Sequence, residues 1–140
     1  MRIGLVGCVK SKGSVPAPAR DLYTSALFRG RRAYVERSCQ TWFILSAEHG
    51  LVDPDRVLAP YERSVTVMSR AEWREWSQNV LDVLRGRIGD LSQHTFEIHA
   101  GAAYRDFGLL AGLRQAGCQV EVPSSGLRQG EQLRFYRTIQ

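Results

Sequence analysis

Two lysines flank a serine directly behind a short apolar run near the start of the chain, in Cys8-Val9-Lys10-Ser11-Lys12-Gly13. Their ammonium groups could meet an anion, and a helix beginning beyond the loop would add its positive end to the same place. The spacing is neither that of a GxxxxGK phosphate loop nor that of GxGxxG, so no standard nucleotide motif is present. Cys8, next to both lysines, is either a small buried hydrophobe or a nucleophile activated by the neighbouring cations. A second polar stretch is Ser46-Ala47-Glu48-His49-Gly50-Leu51. Glu48 and His49 could exchange protons with a substrate, since imidazole titrates near neutral pH. Adjacent strand residues point to opposite faces, however, and Gly50 marks a tight turn that the stretch could serve equally well.

Three more segments carry candidate groups. In Pro60-Tyr61-Glu62, the ring of Tyr61 behind a rigid proline could form a wall for a planar ligand. In His99-Ala100-Gly101-Ala102-Ala103-Tyr104-Arg105, small residues would allow close backbone approach at Gly101, with Tyr104 or Arg105 reaching inward. Tight packing between a strand and a helix explains the same small residues. Beyond Pro123-Ser124-Ser125-Gly126, Gln132 could read the edge of a base through its amide or lie on a surface helix. Ser25, near the start of the first helical stretch, could face the same cleft, whereas Tyr23 and Phe28 read as core.

These loops need a frame that brings them together. Residues 2–7 read as a buried strand, short and apolar, and residues 8–18 as a loop with Gly13, Pro16 and Pro18. Residues 19–37 show helical spacing. Residues 41–46, β-branched and aromatic, read as a second strand. A long connection over 47–69 follows, a length uncommon inside a compact domain unless functional. Ser69 then opens a helix, with Glu72 three residues on in the capping-box arrangement. Residues 95–100 alternate as a third strand, residues 101–115 form a helix stopped by Gly117, and residues 118–122 form a fourth strand. A closing helix is expected over 129–139. Alternation of strand and helix predicts a single α/β domain of three layers, with a mainly parallel four-stranded sheet flanked by helices. In such sheets ligands sit outside the carboxyl ends of the strands, where the loops above emerge.

Composition narrows the classes. The chain has 140 residues, one ordinary domain, and 44% hydrophobic with 24% charged residues is enough for a core without staples. No run of about 18 apolar residues occurs, so no transmembrane helix and no membrane partner is expected. The N-terminal residues lack the pattern of a secretion signal, which predicts a cytoplasmic protein. Cys8, Cys39 and Cys118 form no CxxC, and His49, His94 and His99 form no HxxxH, so neither a metal nor a cofactor is expected. The net charge of +5, mostly arginine, permits a nucleic-acid or nucleotide partner and is equally consistent with a solubilising surface. Nothing in the chain sets the oligomeric state.

Taken as a set, Cys8-x-Lys10-x-Lys12, then Pro18-Ala19-Arg20-Asp21-Leu22-Tyr23-Thr24-Ser25-Ala26-Leu27-Phe28, then Ile44-Leu45-Ser46-Ala47-Glu48-His49-Gly50-Leu51, then Pro60-Tyr61, resembles the DUF6884 family over nearly the whole chain. The Leu-Ser-Ala-x-x-Gly-Leu and Pro-Tyr pieces also resemble, more locally, the peroxide-stress YaaA family. The resemblance implies an association with nucleobase chemistry or DNA binding, on an architecture similar to uracil-DNA-glycosylase-like α/β domains. It carries over Cys8, Lys10, Lys12, Tyr23, Ser25, Ser46, Gly50, Pro60 and Tyr61, while His49 stands where an aromatic is more usual.

The first function expected is therefore a nucleobase- or nucleoside-processing enzyme, N-glycosidase-like, with a nucleobase, nucleotide or nucleic acid as partner. Lys10, Lys12, Glu48 and His49 are its candidate catalytic groups, and Cys8, Tyr23, Ser25, Ser46, Tyr61, Gly101, Tyr104, Arg105 and Gln132 its candidate binding groups. The alternative is a non-catalytic nucleic-acid-binding protein of a stress-response or phage-defence system. That alternative requires Arg29, Arg31, Arg32, Arg70 and Arg74 to gather on one face. A third expectation, a small-molecule or partner-binding subunit, requires a large exposed apolar patch.

Overall fold

A computed structural model describes residues 1–8, 12–61 and 68–138. Strand β1 (Arg2–Gly7) lies at the centre of a five-stranded sheet. It pairs in parallel with β3 (Thr41–Ser46) on one side and with β6 (Thr95–His99) on the other. β6 pairs in parallel with β7 (Gln119–Glu121), and β3 carries an antiparallel edge strand, β4 (Gly50–Val52). A separate antiparallel pair joins β2 (Ala17–Pro18) to β5 (Val57–Leu58).

The predicted α/β class holds, with five strands in the main sheet where four were expected. The additional strand comes from the stretch 47–69, which is not a structureless loop. Its first part turns back at once, so that Ser46 faces Gly50 and Ile44 faces Val52. β5 then supplies the partner for β2.

Strand periodicity assigns the two faces of the sheet. Ile3, Leu5, Phe43, Leu45, Phe96 and Ile98 point into one core with Trp73, Trp76, Val80, Leu84, Leu109 and Leu113. These last come from α3 (Arg70–Ile88) and α5 (Leu109–Gln115). Each such side chain contributes on the order of 1.5–3 kcal/mol by leaving water. Val6, Ile44 and Val52 point the other way, against Ala19 and Leu22 of α1 (Ala19–Leu22) and Phe28 and Val35 of α2 (Ala26–Ser38). Gly4 lets α2 approach closely: a Cβ there would lie 2.7 Å from Val35 Cγ1. The last helix, α6 (Gln129–Thr138), packs on α2.

Two predicted helices are each broken in two. Between α1 and α2, Tyr23 is extended and forms a bridge with Lys12, and Ser25 restarts the helix by accepting from Phe28 N at 3.1 Å. Between α4 (Ala102–Asp106) and α5, Gly108 has a φ of 134°, which a side chain rarely adopts. At α3 the capping box expected from Ser69 and Glu72 is formed in both directions. Among the described residues, no helix is long and apolar enough to cross a membrane.

The strand order decides where a ligand can enter. From β1 the chain passes through α2 to β3, on one side; it then returns across the other face through α3 to β6 and on to β7. The connections leaving β1 and β6 therefore diverge, and in open α/β sheets ligands enter at such a point, beyond the carboxyl ends of the two strands.

Candidate functional site

Cys8 is the first residue beyond β1, and it packs against both hydrophobic cores at once. Its backbone continues the sheet by one bond, Cys8 N donating to Leu45 O at 3.0 Å. Its sulfur lies 3.6 Å from the Tyr61 hydroxyl and 3.4 Å from that of Tyr104. Tyr61 also hydrogen-bonds the Tyr23 hydroxyl and, at 2.9 Å, Ser46 Oγ. Residues from the ends of β1 and β3, from the break before α2, from α4 and from the segment after β5 thus join one network around the Cys8 sulfur and the Tyr61 hydroxyl.

The donors can be assigned by counting protons. Ser46 Oγ accepts from His49 N at 3.1 Å, which leaves its own hydroxyl free to donate to Tyr61. A phenol carries one proton and two lone pairs. Tyr61 can then accept from Ser46 and Tyr23 and donate to the sulfur, which Tyr104 approaches from the other side. Burial, and after it the adjacent Cys8, pushes Tyr23, Tyr61 and Tyr104 above the ordinary phenol value. All three therefore stay protonated, as neutral hydroxyls, at physiological pH.

The surrounding shell is aromatic and cationic. Trp73 and Trp76 hold the Tyr104 ring at centroid distances of 5.2 and 5.4 Å, and Trp76 Nε1 donates to Ser46 O at 2.8 Å. Lys12 Nζ sits over the Tyr61 ring, 4.3 Å from its centroid, and His49 meets the same ring edge-on at 5.0 Å. Partial burial and then Arg56 hold His49 below its ordinary value against the pull of Glu48, so its imidazole is neutral at pH 7.

A second polar network lies on the α2 face of β6. Glu97 and His99 are two residues apart on the strand, share that face, and are fully buried. Glu97 Oε1 lies 2.9 Å from His99 Nε2, and His99 Nδ1 lies 2.7 Å from the Tyr136 hydroxyl on α6. Arg2 joins Glu97 to Glu121, and Ser38 donates to Glu97 at 3.1 Å. Burial alone would raise the Glu97 carboxyl. The hydrogen bonds from His99 and Arg2 overcome this and hold it at about 2. Burial lowers His99 despite its carboxylate, so it is neutral, donating to Glu97 through Nε2 and accepting from Tyr136 through Nδ1.

Arg31 of α2 stands between the two clusters. It is buried, its Nη1 donating to Gly7 O at 3.3 Å and its Nη2 to Gln132 Oε1 at 3.2 Å.

Of the residues singled out from sequence, the structure gathers Cys8, Lys12, Tyr23, Ser46, His49, Tyr61 and Tyr104. Lys10 and Glu62 lie outside the described residues. Glu48 is exposed on the turn between β3 and β4. Ser25 is occupied as a helix cap, Arg105 Nε donates to Ala100 O at 3.1 Å, and Gly101 is the exposed cap of α4. Gln132 belongs with Arg31, its Nε2 fixed on Leu127 O at 2.9 Å. Tyr61 does not present a bare face, because Lys12 covers one side of the ring. Sequence reasoning passed over Glu97, His99 and Tyr136 as functional groups, and read Arg31 only as part of a nucleic-acid surface. The Glu-x-His spacing on a strand predicted to be buried was the available signal, since two polar side chains on one covered face must find partners.

The arginines raised as a nucleic-acid surface do not gather. Arg31 is buried, and Arg29 and Arg32 on α2 lie across the sheet from Arg70 and Arg74 on α3. Arg32 is also engaged with Asp21 and Glu36. Among the described residues, no group of three or more His, Cys, Asp or Glu side chains is arranged to hold a metal ion. A surface groove of about 390 Å³ is lined by Arg20, Thr41, Trp42 and Asp53, at the end of β3 opposite Ser46 and apart from this chemistry.

The fold and site together define a three-layer α/β protein with a polar cluster at the point where its strand order reverses. The chain belongs to DUF6884, a family of unknown function, which it matches over residues 3–138. No curated protein and no solved structure matches it.

Proposed function

We propose that the protein is an enzyme that cleaves the N-glycosidic bond of a nucleobase-bearing substrate in the crevice around Cys8. The observation that carries this reading is the ring of protonated phenols about one sulfur, flanked by Lys12, at the switch point of a doubly wound sheet. Such crevices take ligands of mononucleotide size. In the reaction water adds to the anomeric carbon and the carbon–nitrogen bond breaks. The bonding electrons leave with the base, which takes up a proton. Charge developing on the departing base needs donors that are already oriented. The hydroxyls of Tyr61 and Tyr104 are such donors, held by Ser46, Trp73 and Trp76. Lys12 adds a positive charge beside them. The proposal takes the protein to be cytoplasmic, where its substrates are found.

A purely nucleic-acid-binding role is less well supported, because its arginines divide between the two faces of the sheet. The test is a chromatographic screen for released base from nucleosides, nucleoside 5′-monophosphates and short DNA and RNA. Release by the wild type, reduced about tenfold or more in Tyr61→Phe and in Cys8→Ala, is the expected result. No release from any substrate, or full release by both variants, would overturn the assignment.

A further inference from the structure

An arginine is seldom buried without an anion to meet it. Arg2, Arg20, Arg32 and Arg87 each meet a carboxylate although they are far more exposed. Arg31 does not. It is 5% exposed, yet its recorded bonds run to a backbone carbonyl and a neutral amide, and the hydroxyl of Tyr136 lies against it. Among the described residues no carboxylate pairs with it, and its buried Nε has no hydrogen-bond partner.

A guanidinium offers five N–H groups in a planar fork that suits the oxygens of phosphate. The bonds to Gly7 and Gln132 use two of them. Those two acceptors fix the fork at the carboxyl end of β1, one residue before Cys8. Cys8, beside the first of these acceptors, and Gln132, which carries the second, are themselves only half-buried. Behind Arg31, the chain of Tyr136, His99 and Glu97 is fully buried and holds the tyrosine oxygen in place. The site is therefore rigid, cationic and short of acceptors.

We infer that Arg31 is the receptor for an oxyanion, the phosphate of the substrate, so that the protein takes a nucleoside phosphate in preference to a free base or neutral nucleoside. The naming of the ligand as a nucleotide rests on the function proposed above, whereas the anion site rests on the surroundings of Arg31 alone. Gln132 is a positioning residue in this scheme, acting through the guanidinium.

Calorimetric titrations with the four nucleoside 5′-monophosphates, their nucleosides and inorganic phosphate test the inference. For the wild type, a monophosphate should bind about tenfold or more tightly than its nucleoside, and inorganic phosphate should compete with it. In Arg31→Met that ratio should fall to about twofold or less, and Arg31→Lys should keep part of it. Equal binding of nucleotide and nucleoside by the wild type, or a ratio unchanged in Arg31→Met, would overturn the inference. Because Arg31→Met could fail to fold, the wild-type protein supplies an independent readout. Its Arg31 Nε–Hε resonance should move on addition of inorganic phosphate, and a resonance unmoved at saturation would also overturn it. A shifted resonance without base release from any substrate would retain the anion site and remove the glycosidase. Base release that ignores Arg31 would do the reverse.

Discussion

One polar cluster lies at the carboxyl end of β1 and a second runs along β6 from Arg2 to Tyr136; they share a sheet and differ in how they handle charge. Around Cys8 the groups are a thiol, a serine and three phenols, all with one proton to give and lone pairs to accept with. Any of them can reverse its direction, and none requires a formal charge to be removed from water. Around Glu97 the groups are a carboxylate, a neutral imidazole and a phenol, with Arg2 at the outer end, and each role is fixed by its neighbour. The first cluster reaches solvent through Cys8 and Tyr61, which are half-buried, while Tyr23, Ser46 and Tyr104 are buried. The second is closed, and its order depends on every member being present. The first is the region proposed above for chemistry, and the second holds Tyr136 in place beside Arg31.

Removing one member should separate the two most clearly. Glu97→Ala leaves the buried His99 Nε2–H, and the half-buried Ser38 hydroxyl, without their carboxylate acceptor. It should cost about 3 kcal/mol or more in urea unfolding. A loss under about 1 kcal/mol would show that the network is not what fixes this face.

Acid should act on the same region. Glu97 titrates at about 2 in the fold against an ordinary 4.5, so its contribution is complete above 4.5 and is lost as the pH falls toward 2. His99 is held below its ordinary 6.5, so below that pH the unfolded chain takes up a proton that the folded chain refuses. Both shifts make stability fall with pH, His99 first and Glu97 after it, together on the order of 2 kcal/mol or more by pH 3. Urea midpoints at pH 7, 5.5 and 3.5 measure this. An unchanged midpoint, or no loss of the lowest step in Glu97→Gln, would argue that the network does not titrate.

The thiol cluster should respond less in stability and more in activity. Tyr61→Phe and Tyr104→Phe each remove one hydroxyl from a set that can rearrange, costing about 1 kcal/mol. Base release should fall by about tenfold or more in each, the equivalent of one lost transition-state hydrogen bond. If either cost as much stability as Glu97→Ala, the contrast between an adaptable and a fixed cluster would fail. Glu48→Gln is the mildest change. The carboxylate is exposed on its turn, so the expected shift is within about 0.5 kcal/mol, with a smaller loss of base release than Tyr61→Phe. A larger activity loss than Tyr61→Phe would return Glu48 to the centre of the site.

Much of the frame was legible from residue pattern. Runs such as Arg2–Gly7 and Thr41–Ser46 are continuous apolar strands because both of their faces are covered. Ser69 and Glu72 announced the start of α3 because a capping box is made within four residues. The breaks at Tyr23–Ser25 and at Gly108 were not legible. Each lies against a partner distant in the chain, Tyr23 bridging to Lys12 and Gly108 packing so that a Cβ on it would lie 3.3 Å from Ser77 Cβ. The edge strand β4 was missed for the same kind of reason, since three residues have no periodicity of their own.

The candidate site divides in the same way. Cys8, Tyr61 and Tyr104 could be chosen from their positions at strand exits, because topology sends such loops to one rim. Arg31 looked like one more surface arginine on a basic helix, and Glu97 and His99 looked like ordinary alternation on a strand.

What the sequence alone determined is therefore the local part: strand and helix identities, their alternation, and the loops that must meet at the carboxyl ends. These follow from hydrophobic period and capping, which act over a few residues. The tertiary structure alone decided which hydroxyls surround the sulfur, and that α6 closes over β6 to enclose a carboxylate, an imidazole and an unpaired guanidinium. Burial and hydrogen-bond partnership depend on surfaces brought together from the whole length of the chain, and no short window of residues contains them.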